Sequence, residues 1–168
     1  MLKSIFLFFL FLSSAFAQKM VIAQLEEIYS NAFLRFSTSK YSFLCHSYGI
    51  VSLEELYANA QKDSQCKKNI EQFYGKYKEE RYFSLRHLKQ FQFYHIELKG
   101  DGKCIVYAKG EISLSQMLLR EGLALKKPYF KDKEFKYSFT NAQKNAKFDK
   151  KGLWKEHIRE KCISEYYK

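Results

Sequence analysis

Hydrophobic and polar side chains alternate through much of residues 20–50, in segments rich in β-branched and aromatic residues. Such alternation is typical of strands that bury one face. It predicts strands at Val21–Tyr29, Phe33–Phe36 and Tyr41–Ile50, with polar turns between them. Strands this close in sequence indicate an antiparallel meander.

Helical spacing replaces this alternation at Ser52, which precedes a first helix. A second helix is predicted from a cap at Asp63 or Ser64 to about Leu88, with an interruption near Gly75. The apolar residues of the first helix recur at Leu53, Leu56, Tyr57 and Ala60.

Alternation returns at Phe91–Leu98 and at Cys104–Ala108, and the turn at residues 99–102 joins these two strands as a hairpin. The spacing of Ser113 and Gln116 is that of a capping box and predicts a helix directly after the hairpin.

A last helix is predicted from about Ser138 or Thr140 to Lys151, since Thr140 and Gln143 repeat the capping-box spacing. The chain then reads as three strands, a helical segment, two strands and two helices. This order matches an α+β fold built on a five-stranded Greek-key barrel, the OB-fold.

The N-terminus differs from the rest of the chain. Residues 1–17 contain Lys3, a short apolar run and an Ala-Phe-Ala ending at residues 15–17, which together predict a secretory signal. An uncleaved anchor is the alternative. After removal of the signal we expect no transmembrane span, a secreted or periplasmic protein, one domain at 20–158 and a tail at 159–168.

Export changes the interpretation of the four cysteines, because an even set in an oxidising compartment favours two disulfides. The residues alone leave all three pairings open. Zinc is the competing interpretation, but the usual paired ligand spacing is absent and only Cys45 and His46 are adjacent. The four are Cys45, Cys66, Cys104 and Cys162.

The net charge points to a class of partner. The chain carries 29 Lys+Arg against 18 Asp+Glu, a formal charge of +11. Such a surplus favours nucleic acid, another polyanion or an anionic membrane surface, although a solvated basic surface is the alternative. One segment combines charge with aromatic rings and would suit a surface that tracks a nucleic-acid backbone, or else a solvated linker: it contains Lys126, Lys127, Tyr129 and Lys131.

The second half of the chain carries a set of motifs in a fixed order. They are Lys109-Gly110, Leu114–Ala124, Tyr129-Phe130, the spaced Ala142 and Ala146, and Gly152-Leu153-Trp154. Together they resemble the thermonuclease family, the domains of staphylococcal nuclease type. The resemblance is weaker before Glu97. It implies an OB-fold and Ca²⁺-dependent hydrolysis of DNA or RNA phosphodiesters.

The resemblance also exposes departures from the family's catalytic pattern. Ala32 and Val51 occupy the positions of the two metal-binding carboxylates, and His46 and Lys103 those of the two phosphate-binding arginines. Only Glu54 agrees, at the position of the general base. No Asp lies between Gln18 and Lys62 that could restore the carboxylate pair. We therefore expect no bound metal or cofactor, with Ca²⁺ only if the family activity survives.

The three candidate site residues also have plainer interpretations. Glu54 follows a helix start, where the helix dipole favours an acid. Lys103 lies in a hairpin turn and is an ordinary exposed position, and His46 is an ordinary strand residue.

The resemblance further implies a disulfide pairing. It places Cys45 and Cys104 on neighbouring strands of the barrel, which gives Cys45–Cys104, with Cys66–Cys162 as the remaining pair.

These observations predict an exported thermonuclease-like protein that binds nucleic acid or another polyanion and whose phosphodiesterase activity is weak or lost. The first alternative is an active metal-dependent nuclease with a rearranged site. The second is a structural or protein-binding module of the envelope.

Overall fold

The computed structural model describes residues 19–155 and 158–166. The predicted signal at 1–17 lies outside them. The strands are Lys19–Ser30 (β1), Phe33–Ser37 (β2), Ser42–Ser47 (β3), Ile50–Ser52 (β4), Phe93–Gly100 (β5), Lys103–Lys109 (β6), Ile112–Ser113 (β7) and Ala124–Lys126 (β8). The α-helices are Leu53–Asn59 (α1), Gln65–Lys76 (α2), Phe83–His87 (α3), Leu114–Arg120 (α4), Lys133–Phe148 (α5) and Ile158–Tyr166 (α6), and 3₁₀ turns occupy Lys78–Tyr82 and Gly152–Trp154.

Five strands form a closed barrel in the order β3-β2-β1-β5-β6. Its last edge is a short parallel pairing of β3 with β6, in which His46 lies opposite Lys103 and Ser47 opposite Cys104. The remaining barrel pairings are antiparallel. The predicted fold class, an α+β fold on a five-stranded OB-fold barrel, is confirmed.

The barrel is filled by the alternating residues that the sequence pattern assigns to the buried face. Leu25, Leu34 and Phe36 are 0% exposed, as are Ile96 and Ile105 on the opposite strands. Burial of each such side chain contributes about 1.5–3 kcal/mol. The outward-facing alternate positions are consequently free to carry polar or aromatic groups.

Two buried disulfides fasten this architecture. Cys45 and Cys104 join β3 to β6 across the closing edge of the barrel, with a Cα–Cα distance of 5.6 Å. Cys66 and Cys162 join α2 to α6, with a Cα–Cα distance of 4.7 Å. The structure therefore has the pairing that the family resemblance implies.

The start of the last predicted helix is wrong. α5 begins at Lys133, where Asp132 caps it by accepting a hydrogen bond from the Glu134 N–H. The expected capping residue Thr140 lies inside the helix and donates to the Lys136 carbonyl. Its supposed partner Gln143 instead accepts from the β8 backbone. The spacing was right for a capping box, but the position is mid-helix.

The C-terminal segment was expected to be a tail, yet residues 158–166 form α6. Ile158 and Cys162 are both 0% exposed, and the disulfide from Cys162 holds the helix against α2. The weak apolar periodicity of this short segment gave no signal for a packed helix.

Gly122 and Gly152, which belong to the family motifs, pass close to each other at the end of α4. A Cβ on Gly122 would lie 2.3 Å from the Lys151 carbonyl oxygen, and one on Gly152 would lie 2.3 Å from the Gly122 carbonyl oxygen. Both also have positive φ, at 69° and 51°. Only glycine satisfies both constraints, which explains why these motifs need it.

A helical segment covers one end of the barrel. It follows α2 and consists of the 3₁₀ turn Lys78–Tyr82 and α3, before the chain enters β5. No helix in the described part of the chain is long and apolar enough to cross a membrane.

Candidate functional site and nucleic-acid interface

The residues that the resemblance assigns to the family site come together on one rim of the barrel. Ala32 lies in the turn between β1 and β2, His46 near the end of β3, and Lys103 at the start of β6. Glu54 lies in the first turn of α1, where Ser52 caps the helix by accepting a hydrogen bond from the Glu55 N–H.

The Glu54 carboxylate is held by two donors. Its Oε1 accepts hydrogen bonds from the Asn31 Nδ2 at 2.9 Å and from the Tyr74 hydroxyl at 2.8 Å. Burial, followed by the nearby Glu54 charge, raises the pKa of Tyr74 above its ordinary value. The Tyr74 hydroxyl therefore stays protonated and donates its hydrogen bond to Glu54 throughout the physiological pH range.

Asn31 links this carboxylate to the covering helical segment. Besides Glu54, its Nδ2 donates to the Glu80 carbonyl at 2.9 Å, and its Oδ1 accepts from the Ser84 N–H at 2.9 Å. The Ser84 hydroxyl in turn donates to the Asn31 carbonyl at 2.6 Å. Asn31 is 1% exposed. Sequence reasoning missed this cluster, because its members are far apart along the chain.

The positions assigned to metal carboxylates supply no side-chain oxygen. Ala32 is 8% exposed and its carbonyl accepts from the Ser47 N–H, while Val51 is 0% exposed and pairs with Leu125 in the β4–β8 ribbon. Among the described residues, no group of three His, Cys, Asp or Glu side chains could hold a metal ion. These side chains do not fit Ca²⁺, which prefers six to eight oxygen ligands.

His46 and Lys103, at the positions of the phosphate-binding arginines, lie side by side. They are direct Cα partners in the parallel β3–β6 pairing, and the His46 N–H donates to the Gly102 carbonyl at 2.8 Å. The His46 side chain is exposed and Lys103 is half-buried. The short pairing that closes the barrel thus puts an imidazole and an ammonium next to each other on the rim.

An aromatic ladder extends from this pair along the outer face of β1 and β2. The Phe33 ring stacks on His46 with centroids 4.1 Å apart and planes 13° apart, and Tyr29 follows at 5.0 Å from Phe33. The Arg35 guanidinium lies 5.4 Å from the Tyr29 ring centre. Sequence reasoning missed this ladder, although Phe33 and His46 occupy outward positions on adjacent predicted strands.

The basic aromatic segment at residues 126–131 lies beside the end of β3. The Lys127 N–H donates to the Gly49 carbonyl at 2.9 Å, and the Phe130 ring packs edge-on against Tyr48 at 5.3 Å. Phe130 therefore serves as the anchor, while Tyr129 is 91% exposed at a φ of 58°. The structure places this segment next to the strand that carries His46.

A buried ion cluster fixes the start of α5 beside the β5–β6 hairpin. The Lys99 ammonium lies 2.5 Å from Glu97 Oε1 and 3.3 Å from Asp132 Oδ2. Burial opposes the charged form of Lys99, but the hydrogen bonds and charges of these two acids outweigh it and raise the pKa of Lys99. Tyr107 donates to Glu97 Oε2 at 3.3 Å.

A cavity of about 540 Å³ opens between α1, α2 and the 3₁₀ turn Lys78–Tyr82. Its lining is mixed in chemistry. It includes Glu54, Tyr57, Tyr74, Lys78 and Arg81. Glu54 thus lines this cavity and also accepts the hydrogen bond from Asn31.

The comparisons with known proteins agree with the fold and with the motifs of the second half. A family model described as Staphylococcal nuclease homologue matches residues 58–156, which is more than half of the chain. The match contains Lys103, the segment at 126–131 and the two close glycines, and it begins after Ala32, His46, Val51 and Glu54. No curated protein matches the chain. With a closed five-stranded barrel and this match, the chain belongs to the family of staphylococcal nuclease homologues.

Proposed function

We propose that this protein binds nucleic acid, or another polyanion, on the rim formed by His46, Lys103 and the segment at 126–131, and that it does not hydrolyse phosphodiesters by the family's Ca²⁺ mechanism. The observation that carries the proposal is a contrast between the two halves of the rim. His46 and Lys103 lie side by side, with His46 exposed and Lys103 half-buried, whereas Ala32 and Val51 are apolar and buried.

The proposed binding follows from the positive charge of the rim and from its exposed rings. Lys103 attracts phosphate as a point charge but cannot clamp it with two parallel hydrogen bonds as arginine does. The His46 imidazole carries an N–H group that can donate a hydrogen bond to a phosphate oxygen, and Phe33 supports its ring by stacking. Tyr129 offers an exposed face to a base. Binding of this kind weakens steeply as salt rises.

The loss of hydrolysis follows from what phosphoryl transfer requires. The transition state accumulates negative charge, which a hard cation held by oxygen ligands neutralises. Glu54 is the one carboxylate at the assigned positions, and its Oε1 is occupied by Asn31 and Tyr74. Asn31 presents an N–H donor to that carboxylate, so it orients Glu54 and adds no metal ligand on that side.

We propose export on similar grounds. The two disulfides favour an oxidising compartment. The signal predicted at 1–17 would direct the chain there.

The test is fluorescence anisotropy with a labelled oligonucleotide, using the chain from residue 18 onward, after the predicted signal. We expect binding at low salt, and the logarithm of the association constant should fall linearly with the logarithm of the salt concentration. Lys103→Ala should reduce both the affinity and the salt slope. Lys40→Ala is the matched control, because Lys40 is exposed in the turn at the other end of β3. Absence of binding at low salt would overturn the proposal.

A gel assay with Ca²⁺, Mg²⁺ or Mn²⁺ tests the catalytic half. We expect the oligonucleotide to remain intact with each metal. Cleavage that disappears in Glu54→Gln and in Lys103→Ala would instead identify an active nuclease with a rearranged metal site.

One observation favours a second candidate, a protein-binding module. The outer face of β1 exposes Met20 and Ile22 at 51% and 59%, and Phe91 and Phe93, just before and at the start of the neighbouring β5, are exposed at 70% and 67%. Contiguous exposed apolar groups of this kind mark interaction surfaces. If Phe93→Lys abolished a protein contact while oligonucleotide binding by the wild type stayed undetectable, this second candidate would replace the first.

A further inference from the structure

The helix α5 presents two different faces. Its buried face packs on the domain through Phe135, Phe139, Ala142 and Ala146. Its outer face nevertheless carries two large rings, since Tyr137 is 78% exposed and Phe148 is 86% exposed. Neither ring contributes to the core.

Lysines accompany these rings at helical spacing. One side of the helix carries residues spaced at intervals of four, seven and four, which is one or two turns each: Lys133, Tyr137, Lys144 and Phe148. Four lysines and one glutamate occupy the sequence of α5. The outer face is therefore basic as well as aromatic.

We infer that this outer face of α5 is a second binding surface, on which unpaired bases of a single-stranded nucleic acid stack against Tyr137 and Phe148 while the adjoining lysines meet its phosphates. The inference rests on the proposed function, and it names the form of nucleic acid and a site outside the rim. An isolated exposed ring can reach the face of a base only where that base is unpaired.

The geometry of the helix fits a strand that runs along it. Tyr137 and Phe148 are separated by about 16 Å at the helical rise of about 1.5 Å per residue. Successive stacked nucleotides are about 3.4 Å apart, so the two rings contact bases several nucleotides apart. Tyr129, 91% exposed just before α5, continues this surface toward the rim.

The same surface suits a membrane poorly. A helix that lies in a bilayer interface buries a broad, continuous apolar face among the lipids. The continuous apolar face of α5 is already packed on the domain. Its outer face offers only two separated rings among lysine and other polar side chains, and this arrangement favours a nucleic-acid strand.

The test compares four probes by anisotropy or co-sedimentation: a labelled deoxythymidine oligomer, a duplex of equal length, heparin and anionic phosphatidylserine vesicles. We expect the variant Tyr137→Ala/Phe148→Ala to lose about tenfold or more in affinity for the single strand, from two lost stacking contacts. Its affinity for duplex and heparin should change little, and Tyr137→Phe should bind as the wild type does. Tyr41→Ala, which removes an exposed ring in the turn before β3, is the matched control.

The outcomes separate this inference from the proposed function. A double variant that keeps full single-strand affinity overturns the inference and leaves polyanion binding on the rim intact. An equal loss on heparin means that the rings support the fold rather than bases and also overturns it. Binding to vesicles that is lost in the double variant, without a single-strand effect, reassigns the face to lipid. A wild type that binds none of the polyanions overturns the proposed function and the inference together.

Discussion

Removal of the Cys45–Cys104 disulfide should damage both stability and binding. The bond closes a loop with a sequence separation of 59, for which the loss of loop-closure entropy in the unfolded chain corresponds to about 4 kcal/mol. The other disulfide, Cys66–Cys162, has a separation of 96 and by the same reasoning contributes about 0.4 kcal/mol more. Chain entropy alone thus makes the two bonds nearly equivalent.

Their positions make them different in function. Cys104 lies directly opposite Ser47 in the short parallel pairing that also holds His46 beside Lys103. We expect Cys45→Ala/Cys104→Ala to loosen this edge of the barrel and to reduce oligonucleotide affinity. Cys66→Ala/Cys162→Ala, which frees α6 from α2, is the matched control and should leave affinity nearly unchanged in the folded protein.

Urea unfolding of both double variants measures the free energy of unfolding. Fluorescence anisotropy at low salt, without urea, measures the affinity for the oligonucleotide. Each variant should lose roughly 2–4 kcal/mol of unfolding free energy. The reasoning is refuted if the Cys45/Cys104 variant binds as the wild type does, or if only the Cys66/Cys162 variant loses affinity.

Three further predictions concern the polar groups around Glu54 and Glu97. Asn31→Asp should destabilise the protein by about 2–4 kcal/mol at neutral pH, because a carboxylate replaces the N–H donor to Glu54. The raised pKa of the new acid means that this penalty should shrink as the pH falls through that pKa toward about 4, which urea titrations at several pH values would detect; an equal penalty at all pH values would contradict it. Lys99→Met should cost about 3–5 kcal/mol of unfolding free energy because Glu97, 1% exposed, loses its cation. The double variant Lys99→Met/Glu97→Gln should recover part of this loss, which thermal unfolding would measure. Burial, followed by the Glu97 charge, raises the pKa of Tyr107 to about 12, so the unfolded chain loses this proton first, and stability should fall from about pH 10 upward. Tyr107→Phe should remove that part of the alkaline fall, and an unchanged alkaline profile would refute the assignment.

The barrel was predictable because the evidence for it is local. The alternation in the two strand-rich regions reflects one buried face per strand, and Leu25, Leu34 and Phe36 lie inside as that pattern requires. The serine caps were equally local. Ser52 and Ser113 each accept a hydrogen bond from the N–H three residues on, which the sequence spacing alone indicates.

Spacing failed where it does not specify position. Thr140 and Gln143 have the same separation as a capping pair, but α5 began one and a half turns or more earlier because Asp132 could accept from the Glu134 N–H. Asp132 is also held by Lys99, which comes from another strand. A tertiary contact of this kind is invisible in the local sequence.

Some features of the candidate site were likewise predictable, and others depend on tertiary contacts. The family resemblance placed His46 and Lys103 at related positions, and the structure makes them neighbours. The cluster around Asn31 could not be foreseen, because its partners Glu54 and Ser84 are 23 and 53 residues away. The stack of Phe33 on His46 depends on strand register, which the alternation pattern alone does not fix.

The central claim is that this family member retains the cationic rim and lacks the metal-dependent chemistry. The most direct test incubates the protein with an end-labelled single strand at low salt in the presence of Ca²⁺ and divides each sample between a native and a denaturing gel. We predict a shifted band on the native gel and a full-length strand on the denaturing gel. Shortened products that vanish in Glu54→Gln, or the absence of any shift, would contradict the account.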